Sequence, residues 1–376
     1  MKIIVNTKVL LPLISAVTKI GNTKSLHTFV QCLLCKTFDG CILLTAVNDT
    51  EVAQVKVPAV VIESGTCCFF YGKLIALLKG LGGEDITISD DNKVLRVEYG
   101  SGYAESGLFD VSDFPSTPPA LRPNDDGVST VIVSAKDFVS AVDFTYKSIN
   151  AQSIRETMTC VHMMFSCADN DVKMEASDGR EIGQARCSCA SVSGDCDILF
   201  PYYACVICVG VGKGATGNME IRTNNNIIDI LFNGIFRYRA PLKTGRFPDV
   251  SSIMDNLTPI ASCIIGCKTL SNALRQVTPF VDDAIPATAL TFRGNALEVS
   301  AAYAEEVDED KMATITLQTD TDGDEARECF NIFKMNNIIK RFKSDNCTVS
   351  IKKNGSAPTV YIEGGNESAL LMAMAI

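Results

Sequence analysis

Apolar and polar positions repeat along the chain in one order, three times. Each copy opens with a short run of alternating apolar residues, which is typical of a β-strand. A lysine and a stretch of apolar residues at helical spacing follow at once, beginning near Lys8, Lys136 and Lys268. These lysines are about 130 residues apart, which is the size of a domain. The pattern therefore predicts three units of similar structure.

Later elements repeat in the same order within each unit. Alternating residues broken by Asn, Asp or Gly predict a strand, a turn and a strand, followed by a second helix and a closing hairpin. The second helices are predicted at 72–81, 202–210 and 333–342, and the hairpins begin near 86, 219 and 347. The alternative is a chance similarity among generic amphipathic elements. We expect an α+β fold in which each unit packs two helices on antiparallel sheets.

Proline and glycine mark the joints between the units. Phe114–Pro123 holds four prolines and is followed by Asn124–Gly127, which has the composition of a linker. A second joint runs from Phe247 to Pro259. The predicted domains are residues 1–123, 124–256 and 257–376.

Charge is divided unevenly between the predicted elements. The whole chain has a net charge of −10, yet the six predicted helical stretches hold 13 Lys and Arg residues against two Asp. A surface of this kind attracts a polyanion to its helices and repels it elsewhere. Alternatively, the lysines occupy solvated helix faces while acidic residues collect in turns. The sequence contains no base-reading motif, so DNA contact would be to phosphates and independent of base sequence.

Motifs for catalysis and for bound cofactors are missing from the sequence. With two His and no Trp, a catalytic triad and a His-rich metal site are both disfavoured. The 16 cysteines lie mostly in apolar strings and are interpreted as small core residues of a reducing cytosol rather than as zinc ligands. No apolar stretch reaches 18 residues, so we expect a cytoplasmic protein with no membrane span. An enzyme using Cys35 or Cys208 as nucleophile is an alternative that lacks a recognisable base.

Four short motifs remain to be assigned: SDGREI at Ser177–Ile182, TGRFPD at Thr244–Asp249, DFP at Asp113–Pro115 and LLMAMAI at Leu370–Ile376. Together they resemble the motifs of the bacterial sliding clamps, the β subunits of DNA polymerase III. The resemblance spans the whole chain. It implies a non-catalytic processivity factor that closes around double-stranded DNA as a homodimeric ring of repeated domains, with no cofactor.

Under this resemblance the basic helices line the DNA channel through loose phosphate contacts. The residues expected there are Lys19, Lys24, Lys73, Lys79, Lys136, Lys147, Lys213, Lys268, Arg275, Lys334 and Lys340. Ring closure would join a first-domain edge strand to the third domain. The residues expected at that interface are Tyr103, Ser106, Leu108, Phe280 and Val281.

The resemblance also implies an apolar pocket between the second and third domains, where the polymerase and the clamp loader insert a short linear peptide. The pocket residues carried over are Ser177, Gly179, Ile182, Pro248, Ile253, Leu371, Met372, Ala373, Met374 and Ile376. Flexible methionines suit several related peptides, although a buried strand end is the alternative for the Met pair.

This chain departs from the family pattern within that pocket. It has Asp-Gly-Arg-Glu at 178–181 where the family usually has Asp-Gly-His-Arg, and Met-Ala-Met-Ala at 372–375 where the family has Met-Pro-Met-Arg. The chain thus resembles a divergent member with an altered peptide preference. The runner-up function is a peptide-binding adaptor with the same domains that never encloses DNA.

Overall fold

The computed structural model describes residues 1–91, 93–100, 102–303, 313–355 and 357–375. Three successive units share one order of elements. The first unit consists of β1 Lys2–Asn6, α1 Thr7–Val17, β2 Cys32–Phe38, β3 Cys41–Val47, β4 Val52–Pro58, β5 Val60–Glu63, β6 Thr66–Phe70, α2 Tyr71–Gly80, β7 Asp85–Asp90, β8 Val94–Tyr99 and β9 Gly102–Phe109.

In the second unit one long strand replaces the pair β4 and β5. This unit consists of β10 Ser129–Ser134, α3 Ala135–Thr145, β11 Cys160–Ser166, β12 Asp171–Ser177, β13 Glu181–Ser193, β14 Cys196–Pro201, α4 Tyr202–Gly212, β15 Asn218–Thr223, β16 Ile227–Phe232 and β17 Phe236–Pro241. A short helix, α5 Val250–Asp255, follows in the connection to the third unit.

The third unit repeats the order of the first. It consists of β18 Thr258–Gly266, α6 Cys267–Val277, β19 Ala287–Arg293, β20 Ala296–Ala302, β21 Thr314–Gln318, β22 Thr321–Gly323, β23 Ala326–Asn331, α7 Ile332–Ile339, β24 Asn346–Asn354, β25 Ala357–Gly364 and β26 Glu367–Met372. The strand pairings of the described residues are antiparallel. The predicted α+β fold class is thereby confirmed, whereas the boundaries proposed after residues 123 and 256 stay predictions.

The recurring strand-to-lysine motif marks the start of a helix. In the first unit the Asn6 side chain accepts a hydrogen bond from the Lys8 amide at 3.0 Å, and in the second Ser134 accepts one from Asp137 at 3.4 Å. Such polar caps satisfy amides that lack a partner inside the helix. Buried residues then recur at helical spacing, as Leu10, Ile14 and Val17 do in α1, because that face packs on the sheet.

Two features differ from the sequence prediction. Each unit closes with three strands rather than a hairpin. In units two and three the last of these strands, β17 or β26, pairs with a strand of the preceding unit. The joint between units two and three contains α5, which begins where the Asp249 carboxylate accepts a hydrogen bond from the Ser252 amide at 2.9 Å. A strand, a turn and a strand are predicted over 297–307; the structure shows the first strand as far as Ala302, and residues 304–307 lie outside the described residues.

Sheets continue from one unit into the next. Strand β17 of unit two pairs with β4 of unit one, with Tyr238 opposite Ala53. Strand β26 of unit three pairs with β13 of unit two, with Ala369 opposite Gly183. The two junctions therefore use equivalent strands, so that the last strand of each later unit extends a sheet of the unit before it.

The cysteines of both C-x-x-C pairs lie in the core. Cys32 and Cys35 on β2 and Cys205 and Cys208 on α4 are at most 1% exposed. Burial raises the pKa of the Cys208 thiol to about 12, and a thiol that stays protonated is a poor nucleophile. None of the described helices is long and apolar enough to cross a membrane.

Candidate functional site

Most of the predicted channel cations project from the helices or their ends into solvent. Ten of them have exposed side chains: Lys19, Lys24, Lys73, Lys79, Lys136, Lys147, Lys213, Lys268, Arg275 and Lys340. Lys147 forms an ion pair with Asp143 at 2.7 Å. The helical surface thus carries a high density of positive charge in a chain that is acidic overall.

Two of these lysines approach each other where unit one meets unit two. Burial, and after it the charge of Lys213, lowers the pKa of Lys19. The positive charge of Lys213 in unit two therefore disfavours the charged form of Lys19 in unit one, and an anion bound beside both would relieve this repulsion.

Lys334 is engaged differently from the other predicted channel residues. Its ammonium group forms an ion pair with the Asp178 carboxylate, and it lies 3.7 Å from Glu181 Oε2. Both acidic residues belong to unit two, so Lys334 joins two units and its charge is largely neutralised.

The SDGREI motif forms a turn before β13. The Asp178 carboxylate accepts hydrogen bonds from the amides of Arg180 and Glu181 at 2.9 and 2.8 Å. Gly179 has a φ of +88°, which favours glycine. The Ser177 hydroxyl accepts from the Gly179 amide at 3.0 Å and donates to the Glu181 carbonyl at 2.8 Å. The turn directs the Glu181 side chain into the junction between units two and three.

An ionic centre occupies that junction. Glu181 is 3% exposed, and its carboxylate accepts a hydrogen bond from Ser148 at 2.7 Å and pairs with Arg341 at 2.7 Å. Arg341 also donates to the Ser148 hydroxyl at 2.7 Å. A buried carboxylate that keeps its charge requires such partners. Sequence reasoning missed this centre, because Glu181 and Arg341 share no local motif.

A small apolar cluster lies on the unit-two side of the junction. Its buried members are Cys160, Ile182, Leu199, Phe247, Val250 and Leu370. The predicted pocket residue Ile182 belongs to this cluster. Pro248 and Ile253 are neighbours of its members along the chain and are exposed, Ile253 at 37%.

A cleft of about 360 Å³ opens beside the C-terminal strand. Four predicted pocket residues, Leu371, Met372, Ala373 and Met374, line it together with Arg180, Asn331, Lys334 and Ala375. Met372 is 44% exposed, whereas Met374 packs beside the buried Ala287, Ala289 and Ala302. Ile376 lies outside the described residues. Four of the predicted pocket residues therefore line one methionine-lined cleft, Ile182 belongs to the apolar cluster, and Ser177 and Gly179 lie in the turn before β13.

A histidine that sequence reasoning did not assign to the site stacks on the apolar cluster. The rings of His162 and Phe247 are 4.9 Å apart, and His162 Nε2 lies 2.7 Å from Asp197. Burial opposes protonation of His162, but the carboxylates of Glu175 and Asp197 outweigh it and raise the pKa. Burial would raise the pKa of Glu175, but His162 and Lys173 outweigh it and lower the pKa to about 2.

The predicted dimer residues lie at two separate exposed places. Tyr103 is 57% exposed on β9, where Ser106 and Leu108 are half-buried. Phe280 is 45% exposed on the turn after α6, and Val281 is half-buried. Sequence reasoning did not identify β21, which is an exposed edge strand of the third unit and pairs only with β20 among the described strands.

The chain is similar to proteins of one kind. It is 19% identical over 355 residues to a beta sliding clamp from Rickettsia bellii, a match that covers 92% of this chain and 91% of the relative. No family model matches the chain.

Solved structures give the same result. A DnaN sliding clamp (DNA polymerase III subunit beta) from Pseudomonas aeruginosa, bound to griselimycin, superposes with a TM-score of 0.88 at 15% identity over the full length of both chains. A protein described as a DNA polymerase III beta subunit from Eubacterium rectale superposes with a TM-score of 0.86, also at 15% identity and full coverage. The chain therefore has the fold of the DNA polymerase III beta sliding clamps and resembles them, as a divergent relative, over nearly its whole sequence.

Proposed function

We propose that this protein is a DNA sliding clamp, a non-catalytic processivity factor that closes around duplex DNA as a homodimeric ring in the cytoplasm. The observation that carries the proposal is the concentration of exposed cations on the helices of all three units. Phosphates attract these cations without regard to base sequence. A ring held by topology keeps its DNA without tight contacts, so the clamp can slide.

The internal repetition supports closure of the ring. Strands β4 and β13 accept the last strand of the following unit, and β17 and β26 are those last strands. By the same order of elements, the third unit offers β21 as an acceptor and the first unit offers β9 as a last strand, and among the described residues neither pairs with a strand of another unit. Both strands are largely exposed, whereas β17 alternates between buried and half-buried residues.

The register of the intrachain junctions can be transferred to the proposed interface. Ser368 lies opposite Gln184 where β26 meets β13. Counted from the hairpins, Tyr103 is equivalent to Ser368 and Thr314 to Gln184. We therefore expect Tyr103 of one protomer to lie opposite Thr314 of its partner, in an antiparallel pair.

The methionine-lined cleft is the proposed site for the short linear peptide of the polymerase and the clamp loader. Met372 and Met374 offer an adaptable apolar surface. Arg180 and the partly neutralised Lys334 stand on its rim. Such a rim favours a peptide that places an acidic or carboxyl-terminal group beside its apolar anchors.

Light scattering across a dilution series tests the ring first. A mass near twice 40.5 kDa that persists on dilution supports closure, and a monomer at every concentration contradicts it. The second test compares retention on nicked circular DNA with retention on the same DNA linearised. A clamp stays on the circle and leaves the ends of the linear form, whereas an adaptor that never encloses DNA is retained on neither.

A further inference from the structure

A second cleft lies where the helices of unit two meet those of unit three. We call it the tyrosine cleft, and its volume is about 500 Å³, which falls in the range of roughly 300–1,000 Å³ typical of small-ligand sites. Its lining combines aromatic, cationic and amide groups and contains no acidic residue. The residues that matter here are Tyr146, Lys147, Tyr202, Asn337, Lys340 and Arg341.

The two tyrosines present an open aromatic surface. Their ring centroids are 5.9 Å apart and their planes are inclined by 45°, so they form two walls of a wedge rather than a closed stack. Tyr202, the first residue of α4, is 38% exposed. A flat ring placed on Tyr202 would stack on the part of the tyrosine ring that is now exposed to solvent.

The cations around the wedge are not equivalent. Arg341 is committed to Glu181 and Ser148, and Lys147 is paired with Asp143 at 2.7 Å. Lys340 follows α7, is exposed and has no ion-pair partner among the described residues. Lys340 therefore offers a positive charge to an incoming anion, and the exposed Asn337 beside it offers both a donor and an acceptor.

We propose that the tyrosine cleft binds an unpaired nucleotide of single-stranded DNA. The base stacks on Tyr202, Lys340 receives a backbone phosphate, and the Asn337 amide bonds the edge of the base. Aromatic rings beside cations are the usual means of holding single strands, because every base has a flat face. A duplex keeps its bases inside the stack and cannot use the tyrosines, so the cleft distinguishes single-stranded from double-stranded DNA.

This inference goes beyond encirclement of a duplex and rests on the proposed function only in taking DNA as the ligand. A chain that encloses duplex DNA and also holds an unpaired nucleotide would favour positions where a double strand becomes single. Binding of a short linear single strand does not require ring closure, so the two proposals fail separately.

Fluorescence anisotropy with labelled oligo(dT) tests the site on the full-length protein. Tyr202→Ala is expected to weaken binding by about 5- to 100-fold, the loss of one stacked base, and Tyr202→Phe to retain it within about twofold, since the ring remains. Lys340→Ala should reduce the salt dependence of binding by about one phosphate contact. Neither tyrosine variant should alter binding to a blunt duplex by more than about twofold, because a duplex keeps its bases stacked and away from Tyr202.

Three outcomes would overturn the inference. Equal losses for Tyr202→Ala and Tyr202→Phe would show that the hydroxyl or the fold is responsible, and thermal unfolding of both variants separates these causes. Equal losses of affinity for oligo(dT) and for duplex in Tyr202→Ala would show that the cleft is part of a general DNA-binding surface. Competition by dTMP as strong as competition by oligo(dT), per nucleotide, would identify a free nucleotide as the ligand.

Discussion

Each of the two junctions buries a glutamate at an equivalent position, and different residues stabilise the two carboxylates. Glu181 pairs with Arg341 between units two and three. The equivalent Glu51, between units one and two, accepts hydrogen bonds from the Tyr238 hydroxyl and from Asn48 and has no ion-pair partner among the described residues. If one partner of a buried ion pair is removed, the charge of the other partner stays buried without compensation. The junction between units two and three is therefore the one more sensitive to loss of a single charge.

Arg341→Met should destabilise that junction by about 3 kcal/mol, because it leaves Glu181 buried without its guanidinium. The double variant Arg341→Met with Glu181→Gln should recover most of the loss, since the buried charge is removed. Urea unfolding of the unmodified protein, of Arg341→Met, of Glu181→Gln and of the double variant measures both effects. Additive losses in the double variant would contradict the pairing.

His162 should make stability depend on pH. Its pKa is raised in the folded protein, so its contribution is fully present below the unfolded pKa of about 6.5 and is lost as pH rises through the folded value. His162→Gln should therefore cost about 1.5 kcal/mol near pH 6 and less near pH 8. Urea unfolding at the two pH values measures the difference, and a cost that does not change with pH would rule out this role.

At the scale of elements, the proposed association of chains depends on the edge strands β9 and β21. The Leu108 amide donates to the Lys93 carbonyl at 3.2 Å. Amides along an antiparallel strand alternate in direction, so the Glu105 amide points away from β8. An outward row of unpaired amides is a template for another strand.

Glu105→Pro should abolish the proposed dimer while the protomer stays folded, because it removes an outward amide that has no hydrogen-bond partner among the described residues. Glu105→Ala is the matched control, since it removes the same side chain and keeps the amide. Sedimentation velocity reports the mass of both variants. A dimeric Glu105→Pro protein would show that β9 is not the interface.

Local elements could be predicted from the sequence and distant contacts could not. The helices followed from a lysine and apolar residues at helical spacing, whereas the capping hydrogen bonds of Asn6 and Ser134 were found only in the structure. Met372 to Met374 could be predicted to lie together because they are contiguous. The Glu181–Arg341 pair and the Tyr146–Tyr202 wedge join residues far apart in the chain. The spacing of apolar residues within one element does not indicate which distant side chains the fold brings together.

At the scale of the whole molecule, the helical stretches carry a net positive charge and the rest of the chain carries a net negative charge. Strand residues alternate between the two faces of a sheet, so Lys56 on β4 points away from the face on which the neighbouring buried Val55 and Val57 pack. Strand lysines such as Lys56 and the lysines of the helices carry the same charge on different surfaces. Each group can therefore be replaced while the other is kept.

Replacing Lys73, Lys136 and Lys268 together by Glu should abolish retention on circular DNA, because the helical surface then repels phosphate. The matched control replaces Lys36, Lys56 and Lys93 by Glu, which changes the net charge equally and should retain the circle. Pull-down of closed circular DNA at near-physiological salt measures both. Equal loss in the two variants would mean that total charge, rather than its position, governs binding.

The edge strands β9 and β21 differ from each other, so the proposed association of two chains has a direction. In the proposed ring, the last strand of the first unit pairs with the acceptor strand of the partner's third unit, so the chains join head to tail. In a closed pair the two contacts are then identical but independent. One can part while the other holds, and the assembly becomes an open crescent that is still a single particle, so admitting DNA does not require exchange of subunits.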